Sequence, residues 1–329
     1  MTPSILDIRS LLDIKSEQDF NEKSLNLFRF QAKRCEAYKM YLKLLNVDIN
    51  EVSSIEKIPY LPIEIFKSRK VQIGNVDSPL VFKSSGTTDA IRSKHFVKDP
   101  SVYELAFTKG FNHFYGSAEK YVFLGLLPSY LQKGESSLVY MTDHLIRQSK
   151  NKLSGFYLDE YDKLTEVLQQ CMGQQLPTIL LGVTYALIEF AETHPMDLGD
   201  VIVMETGGMK GRRKEMIRNE VHSLLKDCFN LQEIHSEYGM TELLSQAYSN
   251  GGGVFHTPPW MRISFRENTD PVYSNFSLSS GVMNVIDLAN VNSCSFIATQ
   301  DLGKLNCGGI EILGRTDNSD IRGCSQLTI

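Results

Sequence analysis

The chain has 329 residues, with 34 lysines and arginines against 39 aspartates and glutamates, and a formal net charge of −5. Its 42% hydrophobic content is typical of a globular protein with one large domain or two ordinary ones. No block of basic residues occurs, which disfavours binding to nucleic acid. The N-terminus carries charges where a secretory signal is apolar, and the most apolar window, Thr178 to Ala191, is shorter than the ~20 residues of a membrane span. We therefore expect a cytoplasmic protein without a membrane span.

The cysteines and histidines predict neither a disulfide framework nor a zinc site. The six cysteines contain no C-x-x-C pair, and the seven histidines contain no i, i+4 pair. Four cysteines lie among apolar residues or on apolar helix stripes, and we expect them to be small core residues: Cys35, Cys171, Cys228 and Cys294. Cys324, close to the end of the chain, is considered separately below.

The first third of the chain is predicted to be mainly helical. Apolar residues recur every three or four positions from Gln18 to Leu45, which predicts an amphipathic helix. A short apolar segment from Pro79 to Phe82 then leads into a loop rich in serine and threonine. Asp99-Pro100 has the composition of an N-cap followed by a first-turn proline, and it predicts the start of another helix.

The middle of the chain alternates between strand-like and helix-like segments. Strands are predicted at Tyr121 to Leu127, Gly155 to Leu158, Thr178 to Val183, Val201 to Met204 and Leu231 to Ile234. Helices are predicted near Glu135 to Gln148, Tyr161 to Met172, Tyr185 to Glu192 and Arg212 to Cys228. This alternation indicates an α/β fold with βαβ units and a mostly parallel sheet.

Short strands dominate after the three glycines at 251–253. They are predicted at Trp260 to Phe265, Val282 to Leu288, Ser295 to Ala298 and Ile310 to Leu313, which indicates a β-rich subdomain packed beside the α/β part. Since no repeat or low-complexity linker interrupts the sequence, we expect one domain over residues 1–313 and a short tail over 314–329.

Three segments at predicted strand ends have the composition of a nucleotide site. The first, Ser84-Ser85-Gly86-Thr87-Thr88, offers backbone N–H groups and hydroxyls that suit phosphate, although a flexible polar turn has the same composition. In the second, Glu205-Thr206-Gly207-Gly208, paired glycines permit close approach to a flat ligand; a plain turn is the alternative. The third, Ser236 to Glu242, combines a hydroxyl, an aromatic ring and a carboxylate and is expected to open a short helix.

Taken in order, these segments resemble motifs of the adenylate-forming superfamily, which includes acyl-CoA synthetases and the adenylation domains of peptide synthetases. Ser84 to Thr88 resembles its phosphate loop, and Tyr238-Gly239-Met240-Thr241-Glu242 resembles its Y-G-x-T-E motif. Two later segments match as well: Thr299-Gln300-Asp301-Leu302-Gly303 is similar to the T-G-D-L-G segment, and Gly314-Arg315-Thr316-Asp317 to the G-R-x-D hinge. The resemblance implies the superfamily's large N-terminal domain, with mixed sheets flanked by helices and a β-rich subdomain.

Within the superfamily, the chain most resembles the bacterial acyl-protein synthetases of the LuxE type. The residues that carry this likeness are Glu205 to Gly211, Pro59-Tyr60-Leu61-Pro62 with the helices before it, and Arg322-Gly323-Cys324-Ser325 at the end. Phenylacetate-CoA ligases are similar more distantly. The resemblance implies an enzyme that joins a carboxylic acid, expected to be a fatty acid, to AMP and then passes the acyl group to a cysteine thiol.

The resemblance also implies roles for individual residues, with ATP and Mg²⁺ as cofactors. Ser84, Ser85, Gly86, Thr87 and Thr88 would hold the β- and γ-phosphates, Thr241 would meet the α-phosphate, and Glu242 would bind Mg²⁺. Gly207, Gly208 and Tyr238 would bracket adenine with Gly239 beside them, Asp301 would hold the ribose, and Arg315 would lie near the ribose or the phosphate. Cys324 would accept the acyl group, and the nearby Arg322 would favour its thiolate.

The sequence departs from the superfamily pattern in two places. Where the family's phosphate loop continues with a lysine, this chain has Asp89-Ala90-Ile91-Arg92, so Arg92 could replace the lysine. Asp89 then weakens ATP binding, points away or binds metal. The second departure concerns the superfamily's C-terminal lid, which donates an adenylation lysine. We expect this lid to be absent or reduced to a stub here, and Lys210 or Lys94 could take over the role of its lysine.

Three functions are compatible with the sequence. The leading one is the acyl-protein synthetase, with an acyl reductase or an acyl carrier as a possible partner. The others are an acid–CoA ligase of the phenylacetate type and an adenylate-binding protein without catalysis. The acid itself is expected beside Leu126 to Tyr130 and Gly182 to Tyr185, whose apolar character suits an aliphatic or aromatic tail.

Overall fold

The computed structural model describes residues 7–74, 77–84, 91–128, 135–207, 216–267 and 276–316. The helices are α1 (Ile8–Leu11), α2 (Glu17–Arg34), α3 (Glu36–Leu44), α4 (Ile65–Ser68), α5 (Pro100–Tyr115), α6 (Ser137–Ser149), α7 (Tyr161–Gly173), α8 (Thr184–Thr193) and α9 (Arg218–Phe229). The strands are β1 (Leu61–Pro62), β2 (Leu80–Lys83), β3 (Lys94–Val97), β4 (Val122–Leu126), β5 (Gly155–Phe156), β6 (Thr178–Gly182), β7 (Ile202–Glu205), β8 (His235–Tyr238), β9 (Ala247–Ser249), β10 (Val254–Phe255), β11 (Met261–Arg266), β12 (Ser280–Asp287), β13 (Phe296–Asn306) and β14 (Gly309–Arg315).

The chain divides into two compact units, which are described separately. Unit 1 comprises Met1–Ala106, Thr241–Ser245 and Thr257–Ile329, and unit 2 comprises Phe107–Met240 and Gln246–His256. Each unit is therefore assembled from more than one stretch of sequence. The expected boundary between residues 313 and 314 stays a prediction; Gly314 and Arg315 are the last two residues of β14.

Unit 2 is built on a sheet in the order β5-β4-β6-β7-β8-β9. The pairs from β5 to β8 are parallel, and β9 runs antiparallel to β8. Every residue of β4 and β6 is buried, as expected for parallel strands covered on both faces. This confirms the predicted βαβ part. The carboxyl ends of its parallel strands share one edge, which is where open α/β sheets bind their ligands.

Unit 1 contains the β-rich part, as predicted from the short strands after residue 253. Its main sheet has the antiparallel order β14-β13-β12-β11, and β1 adds to β13 in parallel. The hairpin of β2 and β3 stands apart from that sheet. In the core of unit 1, the ring centroid of Phe296 lies 6.0 Å from that of Phe28 and 6.3 Å from that of Tyr38. The helices α2 and α3 therefore both pack against the start of β13.

The helix predicted from Gln18 to Leu45 is two helices. Cys35 separates α2 from α3 with φ −91° and ψ 107°, an extended conformation, and its backbone forms an isolated β-bridge with Ile73. The periodicity of apolar residues continues through this break, which is why the sequence pattern did not reveal it. Pairing with a segment almost 40 positions away overrides local helix preference.

Two further predictions are corrected. The strand expected at Leu231 to Ile234 begins directly after that range, as β8 (His235–Tyr238). The helix expected from Arg212 begins at Arg218. Ile217 precedes that helix, and its backbone N–H donates to the Glu220 side chain at 3.1 Å. A carboxylate in the first turn that accepts from the N-cap backbone defines where the helix starts.

The prediction that four cysteines are small core residues is supported for three of them. Cys35, Cys171 and Cys294 are buried, and Cys228 is half-buried. Across the described ranges, no helix has the length and apolar character needed to cross a membrane.

Gln31 attaches α2 to the loop before β13 within unit 1. Its buried amide nitrogen donates to the Asn290 carbonyl at 3.0 Å and to Ser295 Oγ at 3.1 Å. Its amide oxygen accepts from the Ser295 backbone N–H at 2.9 Å. Because both ends of the amide are used and the side chain is fully buried, loss of this side chain leaves buried polar groups without partners.

We predict that Gln31→Leu lowers the free energy of unfolding by about 3 kcal/mol, because it leaves a buried carbonyl and a buried amide without partners. Urea unfolding followed by circular dichroism measures the change. Gln18→Leu is the matched control on the same helix: Gln18 is exposed, and its replacement should change stability by less than about 0.5 kcal/mol. Equal effects of the two substitutions would contradict the role of Gln31.

Candidate active site

The hairpin of β2 and β3 holds the two ends of the serine- and threonine-rich loop. The Ser84 N–H donates to the Ser93 carbonyl at 3.1 Å, and the Ser93 N–H donates to Ser84 Oγ at 3.0 Å. Arg92 donates through Nη2 to the Lys83 carbonyl at 3.3 Å and through Nε to the Ser84 carbonyl. The guanidinium thus closes the base of the loop, and its catalytic role stays a prediction.

Thr241 to Ser245 has neither helix nor strand, so the short helix expected here is wrong. The buried carboxylate of Asp287 holds the segment instead. It accepts from the backbone N–H groups of Leu244 at 3.0 Å and Ser245 at 2.9 Å, and from Ser245 Oγ at 2.7 Å. A helix would need the same N–H groups for its own turns, so these long-range bonds replace it.

Asn290 and His95 fix the carbonyl groups of the same segment. Asn290 Nδ2 donates to the Glu242 carbonyl at 2.8 Å, and His95 Nδ1 lies 2.9 Å from the Thr241 carbonyl oxygen. Because a carbonyl only accepts, Nδ1 carries the proton and Nε2 accepts from Ser293 Oγ at 3.0 Å. Burial lowers the pKa of His95 to about 4, which keeps the imidazole neutral at pH 7.

Glu242 presents a buried carboxylate, 4% exposed, in the middle of the held segment. Burial raises its pKa; opposing this, Ser93 donates a hydrogen bond and the charge of Arg315 favours the carboxylate, whereas the charge of Asp301 raises the pKa further. Ser93 also donates its backbone N–H to Ser84, the first residue of the segment that resembles a phosphate loop. Unit 1 thereby brings Ser93, Glu242 and two residues of the later motifs into one electrostatic neighbourhood.

Asp301 and Arg315 are partners across the β13–β14 ladder. Arg315 Nε lies 2.9 Å from Asp301 Oδ1. Asp301 is buried, whereas the Arg315 side chain is 58% exposed, so this arginine can exchange its partner for a ligand at small cost. The resemblance implies that these residues meet the ribose, and the structure places them together.

The donor set around Glu242 fits Mg²⁺ that is held together with a phosphate ligand. Among the residues that the structure describes, no three His, Cys, Asp or Glu side chains cluster as a complete metal site. Mg²⁺ prefers one or two carboxylates, with phosphate oxygens and waters supplying the remaining ligands. A single buried carboxylate with a raised pKa meets that requirement, since a cation would favour its charged form.

In unit 2, Glu205 shapes the turn after β7 that carries Gly207. Glu205 Oε2 accepts from the Gly207 backbone N–H at 2.8 Å and from Thr184 Oγ1 at 2.9 Å. Gly207 has φ +74°, in the region that favours glycine, and its carbonyl accepts from the Thr184 N–H at 3.2 Å. The carboxylate therefore joins the ends of β6 and β7 at the ligand-binding edge of the sheet.

Glu205 is charged although it is buried. Burial alone would raise its pKa. The hydrogen bond from His222, the charge of Arg218 and the hydrogen bonds from Gly207 and Thr184 together outweigh burial and lower the pKa of Glu205 to about 2. Arg218 Nε lies 3.2 Å and His222 Nε2 3.6 Å from Glu205 Oε1. Sequence reasoning placed Glu205 in its motif and missed this network, because Arg218 and His222 come from the next helix.

Tyr238 ends β8 at the same edge, and Gly239 follows it. Tyr238 is half-buried, and its ring centroid lies 6.1 Å from that of Phe255 in an edge-to-face arrangement. Glu237, next to it, is 7% exposed. Burial, followed by the charge of Glu205, raises the pKa of Glu237 to about 8, so this carboxyl is largely protonated at pH 7.

Several predicted residues lie outside the described residues: Ser85, Gly86, Thr87, Thr88, Asp89, Gly208, Lys210 and Cys324. Lys94 is described and exposed on β3. Ser93, His95, Asp287 and Asn290 are not among the residues predicted from the sequence. Signals existed for three of them: Ser93 and His95 are polar residues at alternate positions after the loop, and Asp287 ends a strand that is mostly apolar.

No protein-family model and no curated protein matches this sequence. Similar solved structures include the fatty acyl-adenylate ligase from L. pneumophila in complex with acyl adenylate and pyrophosphate, at 11% identity over 76% of this chain and 53% of that one, with a TM-score of 0.46. Another is the fatty acid AMP ligase from Legionella pneumophila, at 13% identity, 84% and 55% coverage, and a TM-score of 0.49. A four-domain nonribosomal peptide synthetase bound to AMP and glycine has 10% identity, 82% and 20% coverage, and a TM-score of 0.47.

The chain thus spans about half the length of the two ligases and one fifth of the peptide synthetase. Likeness at these identities and TM-scores transfers no activity, substrate or partner to this chain.

We predict that Glu237 makes the protein less stable as the pH rises from about 4.5 to about 8. The folded chain keeps a proton on Glu237 in this window, because its pKa is raised to about 8 from 4.5, whereas the unfolded chain releases it. The stability that comes from the proton on Glu237 is complete below pH 4.5 and is lost as the pH rises through about 8. Urea unfolding at pH 5 and pH 8 should show a decline larger by a few kcal/mol in the wild type than in Glu237→Gln.

The lowered pKa of Glu205 affects the stability of the protein in a different pH range. Its contribution is present above pH 4.5 and is lost as the pH falls toward 2, so it does not mask the effect of Glu237. Identical declines for wild type and Glu237→Gln would show that Glu237 is ionised in the folded protein.

Proposed function

We propose that this chain activates a carboxylic acid with ATP as an acyl adenylate and passes the acyl group to a cysteine thiol. The observation that carries the proposal lies in unit 1. There the Glu242 carboxyl accepts from Ser93, beside the phosphate-loop-like segment, and interacts with Asp301 and Arg315 from the two later motifs. Residues far apart in sequence, each assigned to the nucleotide by the resemblance, are neighbours in space.

The first half-reaction would form a bond between a carboxylate oxygen and the α-phosphorus of ATP and break the bond to pyrophosphate. Its obstacle is the repulsion between two anions, so the site must present donors and cations to the phosphates. Thr241 is suited to the α-phosphate because His95 and Asp287 immobilise its segment. Glu242 would hold Mg²⁺, which offsets phosphate charge when bound.

The resemblance assigns parts of the nucleoside to residues within each unit. Asp301 would accept from the ribose hydroxyls, while Arg315 exchanges its bond to Asp301 for ligand oxygens. Gly207 and Tyr238 would bracket adenine, with Gly208 and Gly239 beside them. The rigid turn made by Glu205 supports this role, because a flat base requires a backbone surface that does not move on binding.

The second half-reaction would transfer the acyl group to Cys324. Its thiolate would attack the acyl carbonyl carbon, the bond to AMP would break, and a thioester would remain after the thiol proton has gone to solvent. Transfer to CoA and binding of an adenylate without turnover are the other outcomes that the experiments below separate.

We predict that ATP–pyrophosphate exchange occurs with at least one acid from a panel of fatty and aromatic acids, and that Glu242→Gln lowers its rate by about 100-fold or more. The variant should fold as well as the wild type, because burial already disfavours the charge. The control is Glu311→Gln, which removes a carboxylate of β14 that pairs with Lys304. Its exchange rate should stay within about twofold of the wild-type rate. Exchange that survives in Glu242→Gln would contradict the assigned role; absence of exchange with every acid would favour a binding protein.

We predict that incubation with ATP and the best acid adds the mass of one acyl group to the chain, and that Cys324→Ser abolishes this adduct. Intact-mass spectrometry measures it, and treatment with hydroxylamine should release a thioester. Cys307→Ser is the matched control, since Cys307 is exposed on the turn between β13 and β14. An adduct that persists in Cys324→Ser would refute self-acylation, and acyl-CoA formation without an adduct would identify a CoA ligase.

A further inference from the structure

A bulge interrupts strand β13 in unit 1, at the segment that resembles the T-G-D-L-G motif. Asn284 of β12 lies opposite Ala298 of β13. Two positions earlier on β12, Val282 lies opposite Leu302, which is four positions later on β13. Between these pairs, one residue of β12 therefore faces three residues of β13, and Asp301 is one of the three. Bulges change the direction of side chains and are common beside active sites.

The guanidinium of Arg266, on β11, is bonded to both sides of this bulge. Its Nη1 donates to the Met283 carbonyl at 3.0 Å, and its Nη2 donates to the Thr299 carbonyl at 2.6 Å. Nη1 also donates to Asn284 Oδ1 at 2.6 Å. Because β12 lies between β11 and β13, the Arg266 side chain reaches across one strand and holds the backbone of the next.

The Thr299 side chain connects this clamp to Asp301. Thr299 Oγ1 donates to the Met283 carbonyl at 2.7 Å and accepts from the Asp301 backbone N–H at 3.1 Å. A hydroxyl can form both bonds at once, since it has one donor and two acceptor lone pairs. The backbone position of Asp301 thus depends on a threonine whose own carbonyl is held by Arg266.

The arrangement requires an arginine. Two carbonyl oxygens and one amide oxygen converge on the guanidinium of Arg266, which presents its N–H donors in a rigid plane, whereas a lysine carries all of its donors on a single nitrogen. Arg266 is only 8% exposed, and taking a charged group out of water is costly. An apolar side chain would avoid that cost, so packing alone does not account for an arginine at this position.

We propose that Arg266 is a positioning residue for nucleotide binding, which holds the β13 bulge in the shape that orients the Asp301 carboxylate toward the ribose hydroxyls. The inference rests on the proposed function, in which Asp301 accepts from the ribose, and it adds a residue that lies in none of the motifs. The aspartate side chain is short and its rotamer depends on its backbone angles. Arg266 therefore acts through Thr299 and Asp301 and needs no contact with the nucleotide itself.

The test measures how strongly the protein distinguishes a ribose with hydroxyls from one without them. Isothermal titration calorimetry gives the Kd of AMP and of 2′,3′-dideoxy-AMP for each variant. The wild type should bind AMP at least about tenfold more tightly, because a hydrogen bond to a charged group contributes at least that much.

Two substitutions break the chain of hydrogen bonds at different points. Arg266→Lys removes the planar guanidinium, and Thr299→Val removes the hydroxyl with little change in the shape of the side chain. Each should lower the preference for AMP to below about threefold, with the Kd of 2′,3′-dideoxy-AMP nearly unchanged. Thr299→Ser keeps the hydroxyl and should retain the wild-type preference. Arg262→Lys, on the same strand as Arg266 and paired with Glu17, is the matched control and should retain it as well.

A double-mutant cycle separates positioning from general damage to the fold. In the Asp301→Ala protein, the further change Arg266→Lys should alter the Kd of AMP by less than about twofold, because no carboxylate remains to be oriented. A wild-type preference for AMP in Thr299→Val would overturn the positioning role, even where Arg266→Lys fails to fold. So would an equal loss of affinity for both nucleotides, or an effect of Arg266→Lys that is as large without Asp301 as with it.

Failure of the proposed function has a different signature. If exchange of pyrophosphate into ATP fails with every acid while AMP binds with the expected ratios, acid activation is refuted and the role of Arg266 stands. If exchange occurs but the wild type binds both nucleotides equally, acid activation stands and the role of Arg266 is overturned. Absence of both exchange and AMP binding would refute both. If exchange occurs and AMP binding is too weak to measure, kcat/KM for ATP and 2′,3′-dideoxy-ATP supplies the same ratio.

Discussion

The buried carboxylate of Asp287 gives Thr241 to Ser245 a shape that the segment does not have by itself. Its oxygens accept the backbone N–H groups of Leu244 and Ser245 and the Ser245 hydroxyl, and Trp260 Nε1 donates to that same hydroxyl at 2.9 Å. Burial raises the pKa of Asp287, while these donors favour its charged form. The position of Glu242, and with it the assigned phosphate chemistry, depends on this interaction.

Sequence patterns predicted the sheet of unit 2 and the β-rich part of unit 1, because continuous apolar runs and alternating segments report burial directly. They failed where distant residues decide the backbone. Asp287 replaces the expected helix at Thr241, and Ile73 interrupts the expected helix at Cys35. Motif order indicated the members of the candidate site, whereas Ser93, His95 and Asn290 emerged only once the chain was folded.

Two buried polar groups of unit 2 are held in different ways. Both oxygens of Glu205 have partners, so the turn at Gly207 is rigid before any ligand arrives. Gln246 Oε1, in contrast, is buried without a hydrogen-bond partner, which lowers the stability of the fold.

The most direct test of acid activation follows the oxygen atoms of the substrate. When an acid labelled with ¹⁸O in its carboxylate is turned over with ATP, attack at the α-phosphorus places one labelled oxygen in AMP, which mass spectrometry detects as a gain of about two mass units. Attack of the carboxylate on the α-phosphorus predicts labelled AMP and unlabelled pyrophosphate. Formation of ADP with the label in inorganic phosphate, or turnover that leaves AMP unlabelled, would contradict it.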